Sequence, residues 1–324
     1  MTTEAPRLAF GVLVGVGVGV GVGVVGCGRS GTSNATVDAS VSALHGAACG
    51  IDGADASDGI ECAQYASALD AFGDALAVAG VPLVLAVGEV HAPLGAAVPS
   101  AARRFTDAFL PVLAGRASDL LVELMMPPRG CADAAAEVRH DQEVVTSQHA
   151  ASDQDEYLAM GTRARALGIV PDMLRPSCAD LDALQHAGDD QVDVSLTTIA
   201  RLSHEQASRM VARDANGPDH GKMVVLYGGT LHNDLAPSND AARWSYAPAL
   251  AAEVQGRFVA IDLIVPEFVG TGAVWQKLAW WPAYDSLRKL AQQARLSNKA
   301  TLFRLSREHP ASFVLLFPLE SPPP

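Results

Sequence analysis

The stretch PLVLAVGEVH, residues 82–91, is a short apolar run that ends in a Gly-x-x-His motif. A second stretch, KMVVLYGGTLH, covers residues 222–232 and has the same layout. Continuous apolar runs of this length, bounded by glycine and polar residues, are typical of strands buried on both faces of a parallel sheet. We therefore predict two such strands, and we expect Gly88 and Gly229 to let the backbone turn sharply where each strand ends.

Similar apolar runs alternate with amphipathic segments along the rest of the chain. This alternation predicts an α/β fold with a mainly parallel central sheet, flanked by helices and carrying a helical insertion, over residues 61–320. The further predicted strands are Asp119–Leu124, Gly168–Leu174, Arg257–Val265 and Ser312–Phe317. The predicted helices are Gln64–Ala79, Ala97–Ala114, Tyr157–Leu167, Asp193–Asp214 and Asp285–Arg295.

The N-terminal segment has the composition of an export signal. Residues 8–25 are apolar, follow a single basic residue, Arg7, and lead into the sequence VVGC, whose cysteine is Cys27. This boundary predicts a lipoprotein signal peptide over residues 1–26, lipid on Cys27 and a flexible tether over residues 27–60. The alternative is an uncleaved membrane anchor, because about 20 apolar residues can span a bilayer. Both alternatives predict an extracytoplasmic protein of the bacterial cell envelope, attached to a membrane.

The remaining four cysteines are Cys49, Cys62, Cys131 and Cys178. An even number of cysteines in an oxidising compartment predicts disulfide bonds. Three pairings can be drawn, and we favour Cys49 with Cys62 and Cys131 with Cys178. A metal–thiolate site is the alternative, but the chain lacks the CxxC spacing that is common in such sites.

The charge balance limits the class of partner. The chain has 23 basic and 36 acidic residues, which gives a formal net charge of -13. A nucleic-acid binder needs a basic surface to displace counterions from phosphate, so nucleic acid is excluded as a partner. Small molecules, peptides and metal cations remain as ligands.

Four side chains are placed to share one crevice. Glu89 and His91 end the first quoted stretch, His232 ends the second, and Glu123 ends the next predicted strand. In open α/β sheets, residues just past the carboxyl ends of the strands line the ligand crevice. A carboxylate within the apolar run LLVELMM is costly unless it is paired or ligated, which singles out Glu123.

Two carboxylates and two imidazoles allow several chemistries. They suit zinc, manganese, cobalt or iron, and a metal with an open position activates water. Without a metal, a Glu/His pair can act as general base and general acid, and a histidine alone can ligate haem iron. The structural alternatives are that each histidine caps a turn and that Glu123 pairs with Arg103 or Arg104.

The order of these motifs resembles a superfamily that unites the Tiki metalloproteases, the TraB-like proteins, the ChaN-like haem-binding lipoproteins and the erythromycin esterases. Its members are similar in having a strand followed by Gly-x-x-His, a Glu after the next strand and a late second Gly-x-x-His. Here these would be residues 88–91, Glu123 and residues 229–232. The Glu inside the first motif looks most like the ChaN-like and erythromycin-esterase branches, and Arg104 is the nearest match to an arginine of relatives. The resemblance spans roughly residues 80–265.

The resemblance implies a cofactor, either haem or a divalent metal (Fe, Mn, Co or Zn). The implied cofactor-binding residues are His91, His232 and Arg104, and the implied metal ligands are His91, Glu123 and His232. In a hydrolase, the implied catalytic residues are Glu89, His91, Glu123 and His232, with either glutamate as general base. We favour haem or iron binding, because the lipoprotein signal matches the ChaN-like branch. A metal-dependent peptidase or esterase is the first alternative, and a non-catalytic envelope binding module is the second.

Overall fold

The computed structural model describes residues 42–49, 60–93, 95–126, 128, 130–131, 152–270, 275–292, 298–305 and 309–320. Cys27, the predicted signal peptide and most of the predicted tether lie outside these residues. The described strands are β1 Ala47–Ala48, β2 Glu61–Tyr65, β3 Val84–Glu89, β4 Ala117–Met125, β5 Val170–Leu174, β6 Met223–Gly229, β7 Phe258–Ile264, β8 Ala300–Arg304 and β9 Ser312–Leu316.

These nine described strands form one sheet, in the order β1-β2-β8-β9-β7-β3-β6-β4-β5. The six neighbours from β9 to β5 run parallel to one another. At the other side of the sheet, β8 pairs antiparallel with β9, β2 with β8, and β1 with β2. The structure therefore confirms an α/β fold with a mainly parallel sheet, and it places the two quoted stretches next to each other as β3 and β6.

The described α-helices are α1 Ala68–Ala79, α2 Ala101–Arg104, α3 Ser152–Ala166, α4 Cys178–Gln185, α5 Gln191–Asp214, α6 Ala247–Glu253 and α7 Trp281–Gln292. A π-helical turn, Phe105–Phe109, and a 3-10 turn, Leu110–Leu113, continue α2 without a break. Further 3-10 turns are Gly188–Asp190, Ala242–Trp244, Pro266–Phe268 and Trp275–Lys277.

The helices cover both faces of the sheet. Along β3, Leu85 and Val87 pack with residues of α1, α2 and α3, whereas Val84 and Ala86 pack with residues of α5 and α6. Successive side chains of a strand point to opposite faces, so burial of both sets requires helices on both sides. This double cover explains the continuous apolar runs from which the sequence analysis began.

The first helix begins later than predicted. Glu61–Tyr65 forms β2, and α1 starts at Ala68, because the side chain of Ser67 accepts a hydrogen bond from the backbone N–H of Asp70 at 3.1 Å and caps the helix. Strand β8 and the short helices α4 and α6 were not predicted. Segments of five to eight residues have too little hydrophobic periodicity to be assigned from the sequence alone.

The sheet begins within the segment that we predicted as a tether. Ala47–Ala48 pairs with β2, and a guanidinium N–H of Arg304 donates to the carbonyl of Ser42 at 2.8 Å. Residues 42–49 therefore belong to the folded domain, upstream of the predicted start at residue 61. Their contacts are made largely by backbone groups, which leave little trace in side-chain composition.

Two disulfide bonds join the described cysteines. Cys49 pairs with Cys62, with Cα atoms 5.6 Å apart, and Cys131 pairs with Cys178, with Cα atoms 5.7 Å apart. This is the pairing that the sequence analysis favoured. The first bond attaches the N-terminal segment to β2, and the second attaches the chain after β4 to the start of α4. Among the described helices, none is both long and apolar enough to cross a membrane.

Candidate functional site

The candidate site lies at the carboxyl ends of β3, β6 and β4. Gly88 of β3 lies opposite Gly228 of β6 in the parallel ladder, so His91 and His232 follow adjacent strand ends. On the other side of β6, the ladder of β4 with β5 shifts register between Val122 and Met125. Irregularities of this kind redirect side chains and are frequent next to active sites.

Gly229 marks the point at which three of the predicted side chains converge. A methyl group on its Cα would lie 3.6 Å from Nε2 of His91, 3.8 Å from Oε2 of Glu123 and 3.8 Å from Cδ2 of His232. Any two of these three atoms are therefore separated by at most about twice 3.8 Å. The structure therefore brings His91, Glu123 and His232 together in one cluster, as the crevice hypothesis requires.

His232 is held by the loop that follows β6. Its side chain is only 4% exposed, and its Nδ1 donates a hydrogen bond to the backbone carbonyl of Trp244 at 2.7 Å. A carbonyl can only accept, so Nδ1 carries a proton and Nε2 faces Glu123, at 3.5 Å from Oε1. The indole N–H of Trp244 donates to Asp193 of α5 at 2.7 Å, which attaches this loop to a helix.

Glu123 and His232 form an ion pair at the edge of solvent. Oε2 of Glu123 also accepts the backbone N–H of Gly229 at 2.7 Å. Burial alone would raise the pKa of Glu123, but the charge and hydrogen bond of His232 outweigh it and hold that pKa below its ordinary value. Burial likewise opposes charge on His232, yet Glu123 and the Trp244 carbonyl raise the pKa of this imidazole. The pair therefore favours a carboxylate beside an imidazolium.

Glu89 lies on the opposite face of the sheet from Glu123 and is 2% exposed. Its Oε1 accepts from Nδ1 of His91 at 2.9 Å and from the hydroxyl of Tyr157 at 2.5 Å, and its Oε2 accepts from the hydroxyl of Tyr227 at 2.6 Å. Burial, with the charge of Glu89, raises the pKa of Tyr157 well above its ordinary value, so this phenol stays protonated and donates. His91 is the most accessible of the four predicted site residues, with 30% of its side chain exposed.

The glycines of the two motifs have a different role from the one expected. Gly88, Gly228 and Gly229 lie inside strands, and none of them is among the described residues with positive φ. A methyl group on Gly228 would lie 2.2 Å from Oε2 of Glu123, and one on Gly88 would lie 2.2 Å from Oδ1 of Asp262. Gly88 and Gly228 therefore leave space for carboxyl groups of the neighbouring strands rather than allow a sharp turn, whereas a methyl group on Gly229 would make only ordinary contacts.

Asp262 of β7 is a second buried carboxyl group beside the site. Its Oδ1 accepts from the side-chain amide of Asn233, the residue after His232, at 2.9 Å. Burial, with the nearby charge of Asp234, raises the pKa of Asp262 to about 8, although the Asn233 hydrogen bond opposes this. This carboxyl group therefore carries a proton at neutral pH and supports the loop that holds His232.

Arg104 does not join the cluster. Its guanidinium pairs with Glu320 at 2.8 Å, stacks over the ring of Phe317 and donates to the carbonyl of Pro99. Among the described residues, the partners of Glu123 are His232 and Gly229 rather than either arginine of α2. The predicted cofactor role of Arg104 is not supported by these contacts, because its charge is used to attach the C-terminal segment to α2.

Sequence reasoning missed four residues that support the site. Asp262 could have been found, because a carboxylate in the apolar run FVAIDLI is the same signal that singled out Glu123. Tyr227 lies inside a quoted stretch but looked like an ordinary strand residue. Tyr157 and Trp244 are far from the motifs along the chain and carry no local signal.

The donor atoms of the cluster bear on which of the expected cofactors it could hold. Among the described residues, no three or more His, Cys, Asp or Glu side chains are already arranged as a metal site. The donor types nevertheless fit a divalent metal, because imidazole nitrogens and a carboxylate face one point. A cavity of about 10 Å³, close to the space of one water molecule, lies beside Glu123 and Tyr246 but is lined by neither histidine.

Comparisons with known proteins found no relative of this chain. No family model matches the chain, and neither a curated protein nor a solved structure is similar enough to match it. The function is therefore inferred from the geometry of the site and from the motifs of the sequence.

Proposed function

We propose that this protein is a lipid-anchored protein of the bacterial cell envelope that binds a divalent metal ion through His91, Glu123 and His232. The observation that carries the proposal is the convergence of these three side chains on the space beside Gly229. Two imidazoles and one carboxylate are the ligand set of several catalytic zinc and non-haem iron sites. The resemblance to the ChaN-like and Tiki-like superfamily supports the same residues.

Both imidazoles have the hydrogen bonds that metal-binding histidines usually make. Nδ1 of His232 donates to a backbone carbonyl, and Nδ1 of His91 contacts the carboxylate of Glu89. Such contacts fix the orientation of each ring, with Nε2 of His91 beside Gly229 and Nε2 of His232 facing Glu123. Glu123 and His232 form an ion pair at 3.5 Å. A bound ion would therefore take the place of the proton on Nε2 of His232.

A metal ion fits this cluster better than haem does. His232 is almost fully buried and faces a carboxylate, which is a poor position for an axial haem ligand. We therefore favour a metal ion over haem, whereas the sequence alone led us to favour haem or iron.

Hydrolysis of a small molecule or a peptide is the second candidate function. It is favoured by the partial exposure of His91 and Glu123, whose side chains are 30% and 16% exposed, because a substrate could reach them from solvent. A divalent ion supplies Lewis acidity when it is bound.

The extracytoplasmic location is supported by the two disulfides. Both bonds would be reduced in most bacterial cytoplasms, and both persist in an envelope compartment. The lipid anchor at Cys27 and the signal peptide over residues 1–26 complete this proposal. They would attach the domain to the membrane through the segment that leads to β1.

The test is metal binding by the full chain, purified in detergent from membranes. We expect about one Mn²⁺, Co²⁺ or Zn²⁺ ion per chain by elemental analysis and calorimetry. His91→Ala and His232→Ala should each weaken the affinity at least about 10-fold, as should Glu123→Ala. The matched control is His204→Ala, because His204 also pairs with a glutamate, Glu253 at 2.9 Å, but on the surface of α5 and α6.

Two outcomes would overturn the proposal. If no ion binds, and haem added to the full chain gives a Soret band that His91→Ala or His232→Ala removes, the site is a haem site. If all three variants bind metal like the unchanged protein, the cluster is not the metal site. Wild-type affinity in His204→Ala, together with loss in the three site variants, would support the proposal.

A further inference from the structure

Glu89 is separated from any ligand by its burial. Its side chain is 2% exposed and lies on the face of the sheet that α2 and α3 cover. Three donors already reach its two oxygens, namely Nδ1 of His91 and the hydroxyls of Tyr157 and Tyr227. Glu89 is therefore placed to act through His91, although the sequence analysis had grouped it with the catalytic residues.

The hydrogen bonds of Glu89 decide which nitrogen of His91 carries a proton. A carboxylate can only accept, so the contact of 2.9 Å to Nδ1 requires a proton on Nδ1 in the imidazole. In the neutral ring, Nε2 then carries the lone pair. Nε2 is also the atom that lies nearest to the convergence point, 3.6 Å from a methyl group on Gly229.

Two tyrosines hold Glu89 in this position. The rings of Tyr157 and Tyr227 meet edge to face, with centroids 5.7 Å apart, and Tyr227 also packs on Phe105 at 4.8 Å. Buried aromatic rings with their hydroxyls paired have few alternative positions. The carboxylate therefore has a rigid support from α3, β6 and the π-helical turn after α2.

We propose that Glu89, supported by Tyr157 and Tyr227, is a positioning residue that keeps the proton of His91 on Nδ1 and directs Nε2 toward Glu123 and His232. This inference deepens the proposed function and rests on it for its consequence, which is metal binding. The positioning itself is a property of the protein without metal. It can therefore be measured separately.

The first test is the tautomer of His91 in the full chain labelled with ¹⁵N-histidine, purified in detergent and kept free of metal. The nine histidines are resolved by comparison with His91→Ala, which assigns the signals of His91. We expect the ¹⁵N shifts of a neutral ring with its proton on Nδ1 and its lone pair on Nε2. A wild-type ring with its proton on Nε2 overturns the proposal, whatever any variant does.

The second test removes the acceptor. Glu89→Leu fills the space without an acceptor, whereas Glu89→Gln keeps one oxygen that can face Nδ1 while the hydroxyl of Tyr227 rotates to accept. We expect Glu89→Leu to lose the Nδ1–H tautomer and to weaken Zn²⁺ binding about 10- to 100-fold, and Glu89→Gln to restore most of both. Glu253→Leu is the matched control, because it removes a carboxylate that lies 2.9 Å from Nε2 of another histidine, His204, outside the cluster.

The outcomes separate this inference from the proposed function. If the wild-type protein binds no metal but His91 has its proton on Nδ1 and Glu89→Leu removes it, the positioning is supported and the proposed function fails. If His91→Ala abolishes Zn²⁺ binding but Glu89→Leu keeps the tautomer and the affinity, the positioning fails. A variant that does not fold leaves the wild-type tautomer as the deciding measurement.

Discussion

Gly88 and Gly228 lie opposite each other in the sheet, and each makes room for a carboxyl group from the next strand outward. Gly228 of β6 accommodates Glu123 of β4, and Gly88 of β3 accommodates Asp262 of β7. The two arrangements look alike along the chain, since each places an acidic residue within an apolar strand. Their protonation states nevertheless differ.

The difference comes from the partner of each carboxyl group. Glu123 faces the imidazole of His232, which holds its pKa below the ordinary value. Asp262 faces the neutral amide of Asn233, and burial raises its pKa to about 8. An amide satisfies a hydrogen bond without compensating charge, so burial decides the outcome for Asp262. One strand pair thus holds a charged carboxylate, and the other holds a neutral carboxyl group.

The most direct disruption of the fold should come from filling the glycine spaces. Gly228→Ala places a methyl group 2.2 Å from Oε2 and 3.0 Å from Cβ of Glu123, so β4 itself must move. We expect a loss of about 3 kcal/mol in the free energy of unfolding, and a smaller loss for Gly88→Ala, which meets only the terminal atoms of the Asp262 and Asn233 side chains. Urea unfolding measures both.

Gly73 provides the control for these substitutions. It lies in α1, and a methyl group there would meet no atom within 4 Å. Gly73→Ala should stabilise the protein by about 0.5–1 kcal/mol, because alanine favours the helix. A Gly228→Ala protein as stable as the wild type would show that the close approach of Glu123 is wrong.

The next effect is the contribution of Asp262 to the pH dependence of the free energy of unfolding. Its folded pKa of about 8 lies above the ordinary value of 3.8, so the native state keeps a proton that the unfolded chain releases. The stability that this proton contributes is complete below about pH 4 and is lost as the pH rises toward 8, at about 1.4 kcal/mol per pH unit. Asp262→Asn removes this titration while keeping an acceptor for Asn233.

The measurement is the free energy of unfolding of both proteins at several pH values from 5 to 8. The difference between wild type and Asp262→Asn should change steadily in favour of the variant as the pH rises. Other titrating groups cancel in this difference. A constant difference across the range would mean that Asp262 is already ionised at pH 5.

The smallest effect distinguishes the two histidines. His232→Ala leaves Glu123 without its imidazole in a largely buried position and should cost about 2 kcal/mol. His91→Ala should cost less than about 1 kcal/mol, because His91 is 30% exposed and Glu89 keeps two tyrosine donors. Thermal or urea unfolding compares them, and equal costs would contradict the asymmetry between the two motifs.

Much of the parallel sheet could be predicted from the sequence. The apolar runs at β3, β4, β6, β7 and β9 were each recognised, because strands buried on both faces must be apolar at every position. The antiparallel strand β8 and the N-terminal strand β1 were not recognised. These strands have five and two residues, and segments this short have too little periodicity to be recognised from the sequence alone.

The site was predicted in its members but not in their roles. The sequence by itself determined that His91, Glu123 and His232 belong together, because strand, glycine and histidine recur in a parallel fold whose strand ends must meet at one edge. Only the tertiary structure decided that the motif glycines provide space, that Arg104 lies elsewhere, and that Tyr157 and Tyr227 hold Glu89. The physical reason is that roles follow from distances and burial across elements, which the order of residues along one strand does not contain.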